Sequence, residues 1–164
     1  MAYPVPPFPL VLESVGPSPR HLIVGFHGTD HLFERFKPSA RGSFGAGIYA
    51  ADRAAAVEYA GPGGYILEVG IHSSNPYRYA ASFDHDLDFD SAAVGLIRTI
   101  LPANADCLLE SSMYSDGLFG SEVKEALEGM GYDSLLVTYE DGSCEVVAFH
   151  PERVVIRHRS TLPA

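Results

Sequence analysis

The sequence predicts a mixed α+β domain on three observations: strand-like apolar runs toward both ends of the chain, an alanine-rich helix between them, and no regular βαβ alternation. With 164 residues, 46% hydrophobic and 20% charged, there is material for one domain with a real core. The expected division is a proline-rich lead over 1–20, a single domain over 21–158 and a short tail over 159–164.

The first core strand is expected at 21–27, rich in β-branched and aromatic residues and ended by Gly28. Asp30 is positioned to cap a short helix through Leu32, Phe33 and Phe36, stopped by Pro38, and a polar loop follows over 37–43. A helix is predicted over 52–60, with Asp52 as N-cap and Gly61-Pro62 as its stop. A strand over 65–71 is closed by Ser73-Ser74-Asn75-Pro76. Helices are expected at about 91–101 and 121–129. The last third reads as a hairpin, 134–138 and 144–149 around the turn 140–143, then a final strand over 153–157.

Charge and cysteine usage exclude several classes. Twenty-one acidic against eleven basic side chains leave a formal charge of −10, so counterion release offers no affinity for a phosphate backbone, and nucleic acid is not the expected partner. Cys107 and Cys144 form no C-x-x-C pair, which argues against a zinc site or a disulfide framework and suits a reducing compartment. Residues 1–20 hold six prolines and lack the cationic start and apolar run of a secretory signal. No stretch approaches the roughly 20 apolar residues of a membrane span. The expected location is cytoplasmic, or the cytoplasm of a target cell reached by a signal-independent route.

Gly45, Gly47 and Ala50 satisfy G-x-G-x-x-G/A, but the preceding residues, Lys37 to Phe44, are no buried strand, so the dinucleotide fingerprint fails on context. The glycines are expected to serve a close approach of backbone to backbone or to ligand. Tyr49 and Tyr59 flank the predicted helix, where their rings either face each other across a slot for a flat aromatic ligand or serve as core tyrosines. His27 ends an apolar strand beside a glycine, so it either meets a ligand or caps a turn. Glu145 lies in an otherwise apolar strand, where a partly buried carboxylate stabilises a developing cation, unless it sits at an exposed hairpin mouth.

Asp84, Asp86, Asp88 and Asp90 alternate, yet the glycine and distal glutamate of a calcium loop are missing, so a solvated loop capping the next helix is expected and no metal is required. H-E-x-x-H and G-x-S-x-G are both absent.

Phe26-His27-Gly28-Thr29, Gly45-Ala46-Gly47-Ile48-Tyr49 with a helix ending near Tyr59, and Cys144-Glu145-Val146-Val147-Ala148-Phe149 together resemble the ADP-ribosyltransferase superfamily. The branch resembled carries a His-Tyr-Glu triad, as in diphtheria-toxin-like toxins and poly(ADP-ribose) polymerases. Asn75-Pro76, Gly131-Tyr132-Asp133 and His150-Pro151-Glu152-Arg153-Val154 are further echoes. The resemblance covers about residues 21–75 and 129–157.

The resemblance implies a split β-sheet core with flanking helices and a cleft for NAD⁺. His27 would bond the adenosine ribose, the Gly28 backbone and neighbouring Thr29 would border the nicotinamide carboxamide, Tyr49 and Tyr59 would sandwich the nicotinamide ring, and Glu145 would bind its ribose. Arg41 would meet the pyrophosphate. Ser143 stands two before Glu145, where arginine-modifying members carry Glu or Gln, which argues against arginine as acceptor, and the Tyr49-to-Tyr59 interval is about one residue short. The implied activity is mono-ADP-ribosylation of a macromolecular acceptor, expected to be protein. The alternatives are an NAD⁺ glycohydrolase, a silent NAD- or ADP-ribose-binding module, and, disfavoured by the charge, an RNA 2′-phosphotransferase.

Overall fold

The computed structural model describes residues 10–13, 21–38, 44–81, 91–114 and 122–164. Among these, eight strands form one mixed sheet: β1 (Leu10–Glu13), β2 (His21–Thr29), β3 (Ile48–Ala51), β4 (Tyr65–Ser73), β5 (Pro76–Ala80), β6 (Ser134–Thr138), β7 (Cys144–Ala148) and β8 (Val154–Thr161). The order is β5-β6-β7-β3-β2-β4-β8, and β1 pairs with the first half of β2. Every pairing is antiparallel except β5 with β6. The helices are α1 (Arg53–Ala60), α2 (Ser91–Ile100), α3 (Ala105–Tyr114) and α4 (Glu122–Gly129). The expected α+β class is therefore observed.

Pairing within the sheet is uneven. β2 runs beside β4 along its whole length, from His21 opposite Ser73 to Thr29 opposite Tyr65, but meets β3 in one registered pair, Phe26 opposite Ala51. The sheet is thus two well-paired halves, β5-β6-β7-β3 and β2-β4-β8, joined at a narrow bridge.

Each half is buried on its own terms. α2, α3 and α4 cover one face of β6 and β7, with Leu96, Ile97, Val123 and Leu127 against Leu135, Val137 and Val147. On the opposite face, Ile48, Ala50, Val146 and Ala148 of one half join Ile23, Leu67, Val69 and Ile71 of the other in a single apolar layer. Burying apolar surface across the bridge holds the halves together where the ladder does not.

α1 forms as expected. The Asp52 carboxylate accepts from Ala55 N at 2.8 Å, and Gly61, at φ 72°, donates its N–H to the Val57 carbonyl. The helix lies on β2 so closely that a Cβ on Gly28 would stand 2.0 Å from the Ala56 carbonyl oxygen. Gly28 is a seat for the helix as well as a break in the side-chain wall. Gly47 has a parallel duty, because a Cβ there would meet Val147 Cγ1 at 2.3 Å, so the expected backbone approach of the glycine turn is to β7.

Several elements depart from expectation. The short helix at 30–36 does not form: the Thr29 hydroxyl donates to the His31 carbonyl and accepts its N–H, a local turn that competes with helix, and Phe33 and Phe36 turn inward onto His27. β4 ends at Ser73, in the turn expected to close it, but β5 was not expected and opens on Pro76, as proline is allowed to do at the first residue of an edge strand. α3 was not expected, and β1 lies within the proline-rich lead. β8 reaches Thr161, and Leu162 N bonds Gly64 O at 2.8 Å, so the stretch expected as a tail continues the sheet. The aspartate run 84–90 lies outside the described residues.

One polar cluster locks the far edge. Asp133 accepts from Ser73 Oγ at 2.5 Å, Ser74 N at 2.6 Å and Asn75 N at 3.2 Å, while the Asn75 amide donates to Gly131 O at 3.0 Å. Partial burial alone would raise the Asp133 pKa, but these bonds and the charge of Arg153 outweigh it and hold the carboxyl below its ordinary value. The bend after β4 and the turn before β6, two of the sequence echoes, are thereby tied to each other.

Candidate functional site

Where β2 and β3 part, a cavity of about 920 Å³ opens. His27, Gly28, Thr29, Tyr49, Tyr59 and Glu145, residues distant in sequence, all line it. Arg41, the remaining expected site residue, lies outside the described residues.

Strand alternation explains how they converge. Tyr49 opposite Val147 and Ala51 opposite Glu145 put Tyr49 and Glu145 on one face as diagonal neighbours, the face on which α1 lies. His27 is opposite Leu67 and belongs to the other face, with Phe33 and Phe36. In a continuous sheet these side chains would be kept apart. The parting of β2 from β3 lets them border one space.

His27 is firmly held. Its ring stands edge-on to Phe36 at a centroid distance of 5.0 Å, and Nδ1 lies 2.7 Å from the Tyr49 carbonyl oxygen. A carbonyl only accepts, so Nδ1 carries the proton, and in the neutral ring Nε2 is an acceptor. Burial lowers the His27 pKa; the bond to the Tyr49 backbone opposes this but does not reverse it, so the neutral form prevails near neutral pH.

Tyr49 is half-buried, and its hydroxyl bonds the glycine loop twice, donating to Gly45 O at 2.6 Å and accepting from Phe44 N at 3.0 Å. It both borders the cavity and shapes the loop. Tyr59 is 82% exposed, so its ring is available at the mouth and contributes little to the core. Thr29 is buried with its hydroxyl engaged by His31, a turn-former at the rim.

Glu145 is partly buried, and its Oε2 accepts from the Tyr139 hydroxyl at 2.8 Å. Sequence reasoning passed over Tyr139, although the hairpin register puts it two residues past Val137, on the face of Glu145. It also passed over Arg35 and Lys37, which line the same cavity beside His31 and supply positive charge at the rim of an acidic chain. A lysine and an arginine two apart in a polar segment were the available signal. Among the described residues no group of three His, Cys, Asp or Glu side chains is placed to hold a metal ion, and no helix is long and apolar enough to cross a membrane.

A family model described as ADP-ribosyltransferase in polyvalent proteins matches residues 20–155. No curated protein matches the chain. Among solved structures, one described as the crystal structure of an anti-CRISPR protein is similar at 14% identity, over 86% of this chain and 96% of that one, with a TM-score of 0.42.

Proposed function

The chain belongs to the ADP-ribosyltransferases of polyvalent proteins, and from that premise we propose that it is a mono-ADP-ribosyltransferase of the His-Tyr-Glu branch, using NAD⁺ to modify a macromolecular acceptor, most simply a protein. The observation that carries the reading is the convergence of His27, Tyr49 and Glu145 on one cavity through the parting of β2 and β3.

The residues present suit the dinucleotide. A volume of about 920 Å³ is ample for a ligand of that size. His27 Nε2 offers an acceptor to a ribose hydroxyl. The Gly28 and Thr29 backbone lies on the stretch of β2 beyond its pairing with β3, in reach of a carboxamide. Tyr49 and the exposed Tyr59 offer ring faces to the nicotinamide. Arg35 and Lys37 offer positive charge to the phosphates.

NAD⁺ supplies an ADP-ribosyl group whose bond to nicotinamide breaks, the electron pair leaving with nicotinamide while an acceptor nucleophile bonds the ribose carbon. Glu145 presents a fixed negative charge where positive charge develops on the ribose, and so favours the transition state over bound substrate. Tyr49 and Tyr59 orient the leaving ring, and the apolar walls Phe26, Ile48 and Ala50 limit water. Ser143 takes the position from which arginine-specific members recognise their acceptor, and its hydroxyl is turned to Asp141 at 2.5 Å, so the acceptor is expected not to be arginine.

The test is to incubate the pure protein with labelled NAD⁺, with and without cell lysate, following nicotinamide release and label transfer. Lysate-dependent transfer is expected. Release that proceeds equally in water would make the protein a glycohydrolase, and binding without turnover a silent module.

A further inference from the structure

We infer that Tyr139 is a positioning residue for Glu145, fixing its carboxylate from behind the cleft; the inference rests on the reading of Glu145 as the catalytic carboxylate. The Tyr139 hydroxyl donates to Glu145 Oε2 at 2.8 Å, yet Tyr139 is not among the residues bordering the cavity. It acts on the carboxylate, and the substrate does not touch it.

Its own placement is rigid. Val137 pairs with Glu145 and Thr138 with Cys144, and the turn then closes by Tyr139 N to Ser143 O at 2.8 Å and Gly142 N to Tyr139 O at 3.0 Å, with Gly142 at φ 86°. That register sets the phenol diagonally beside Glu145, and the half-buried ring packs on the apolar cluster of α2, α4, β6 and β7.

A glutamate side chain turns about three bonds, and its carboxylate stabilises developing charge only where it is already aimed. A bond from an aromatic hydroxyl anchored on a closed hairpin removes part of that freedom before substrate arrives. Tyrosine is a neutral donor, so the orientation is gained without cancelling the negative charge, as a lysine or arginine partner would. One heavy atom, the Tyr139 oxygen, carries the effect.

The experiment is Tyr139→Phe, which keeps the packed ring, measured alone and combined with Glu145→Gln for nicotinamide release and thermal midpoint. Expected for the single variant is a kcat lower by on the order of tenfold, the scale of one hydrogen bond to a charged group, with KM for NAD⁺ nearly unchanged. In the Glu145→Gln background the same change should have no further effect, because the oriented charge is already gone. An equal loss in both backgrounds would make Tyr139 a merely structural residue and overturn the inference. A parental rate in Tyr139→Phe with an inactive Glu145→Gln would also overturn it while leaving the transferase reading intact. A Glu145→Gln protein as active as the parent would remove that reading itself.

Discussion

The imidazole of His27 donates from Nδ1 to the main-chain carbonyl of Tyr49 at 2.7 Å, across the gap where β2 and β3 cease to pair. One side chain makes there the kind of link that the ladder makes elsewhere, and it stands at the edge of the cavity.

Acid should loosen this span. Burial holds the folded-state pKa of His27 below its ordinary 6.5, so the unfolded chain takes up the proton first. The stability due to neutral His27 is therefore fully present above about pH 6.5 and lost as pH falls through the depressed folded value. Urea unfolding from about pH 8 to pH 5 should show a steeper fall for the parent than for His27→Gln, whose amide can still donate to Tyr49. Equal slopes would mean that His27 titrates as a solvated imidazole.

Tyr49→Phe should destabilise the fold by about 1–2 kcal/mol, since it removes the hydroxyl that holds both the Gly45 carbonyl and the Phe44 N–H. Chemical denaturation measures this directly. An unchanged midpoint would show that the glycine loop keeps its shape without the hydroxyl.

Tyr59→Ala should separate ligand from fold. With the side chain 82% exposed, the thermal midpoint should stay put, while NAD⁺ affinity falls several-fold, the loss of a stacking worth roughly 0.5–1.5 kcal/mol. Calorimetric titration showing parental affinity would remove Tyr59 from the site.

Gly28→Ala should do the reverse. The added methyl would stand 2.0 Å from the Ala56 carbonyl, a backbone atom that cannot swing aside, so α1 must shift at a cost of about 1–3 kcal/mol. A midpoint equal to the parent's would contradict the close seating of α1 on β2.

Much of this architecture is legible in the sequence. β2, β4, β6 and β7 announce themselves by β-branched runs, and α1 by Asp52, its alanines and Gly61. The partial burial of Glu145 follows from its apolar neighbours. What failed was local competition and long-range pairing. Asp30 looked like a cap, but the Thr29 hydroxyl reached the His31 backbone first and His27 drew in Phe33 and Phe36. The stop after β4 is real, but β5 beyond it was missed because its parallel partner, β6, lies far along the chain. Tyr139 was missed although the turn at 140–143 fixes its face, because a tyrosine at a hairpin end carries no sign of a partner until the carboxylate opposite is known.

The rate of nicotinamide release by Glu145→Gln decides whether this cleft works through a fixed negative charge. The substitution keeps size and shape and removes the negative charge, so NAD⁺ affinity should hold while the rate falls by on the order of 10²–10³, the scale for deleting one preorganised electrostatic contact. Folding should survive, since the Gln side-chain oxygen can still accept from Tyr139. A Gln variant that releases nicotinamide at the parent rate would contradict the account, leaving Glu145 a hairpin residue and the cleft without its catalytic charge.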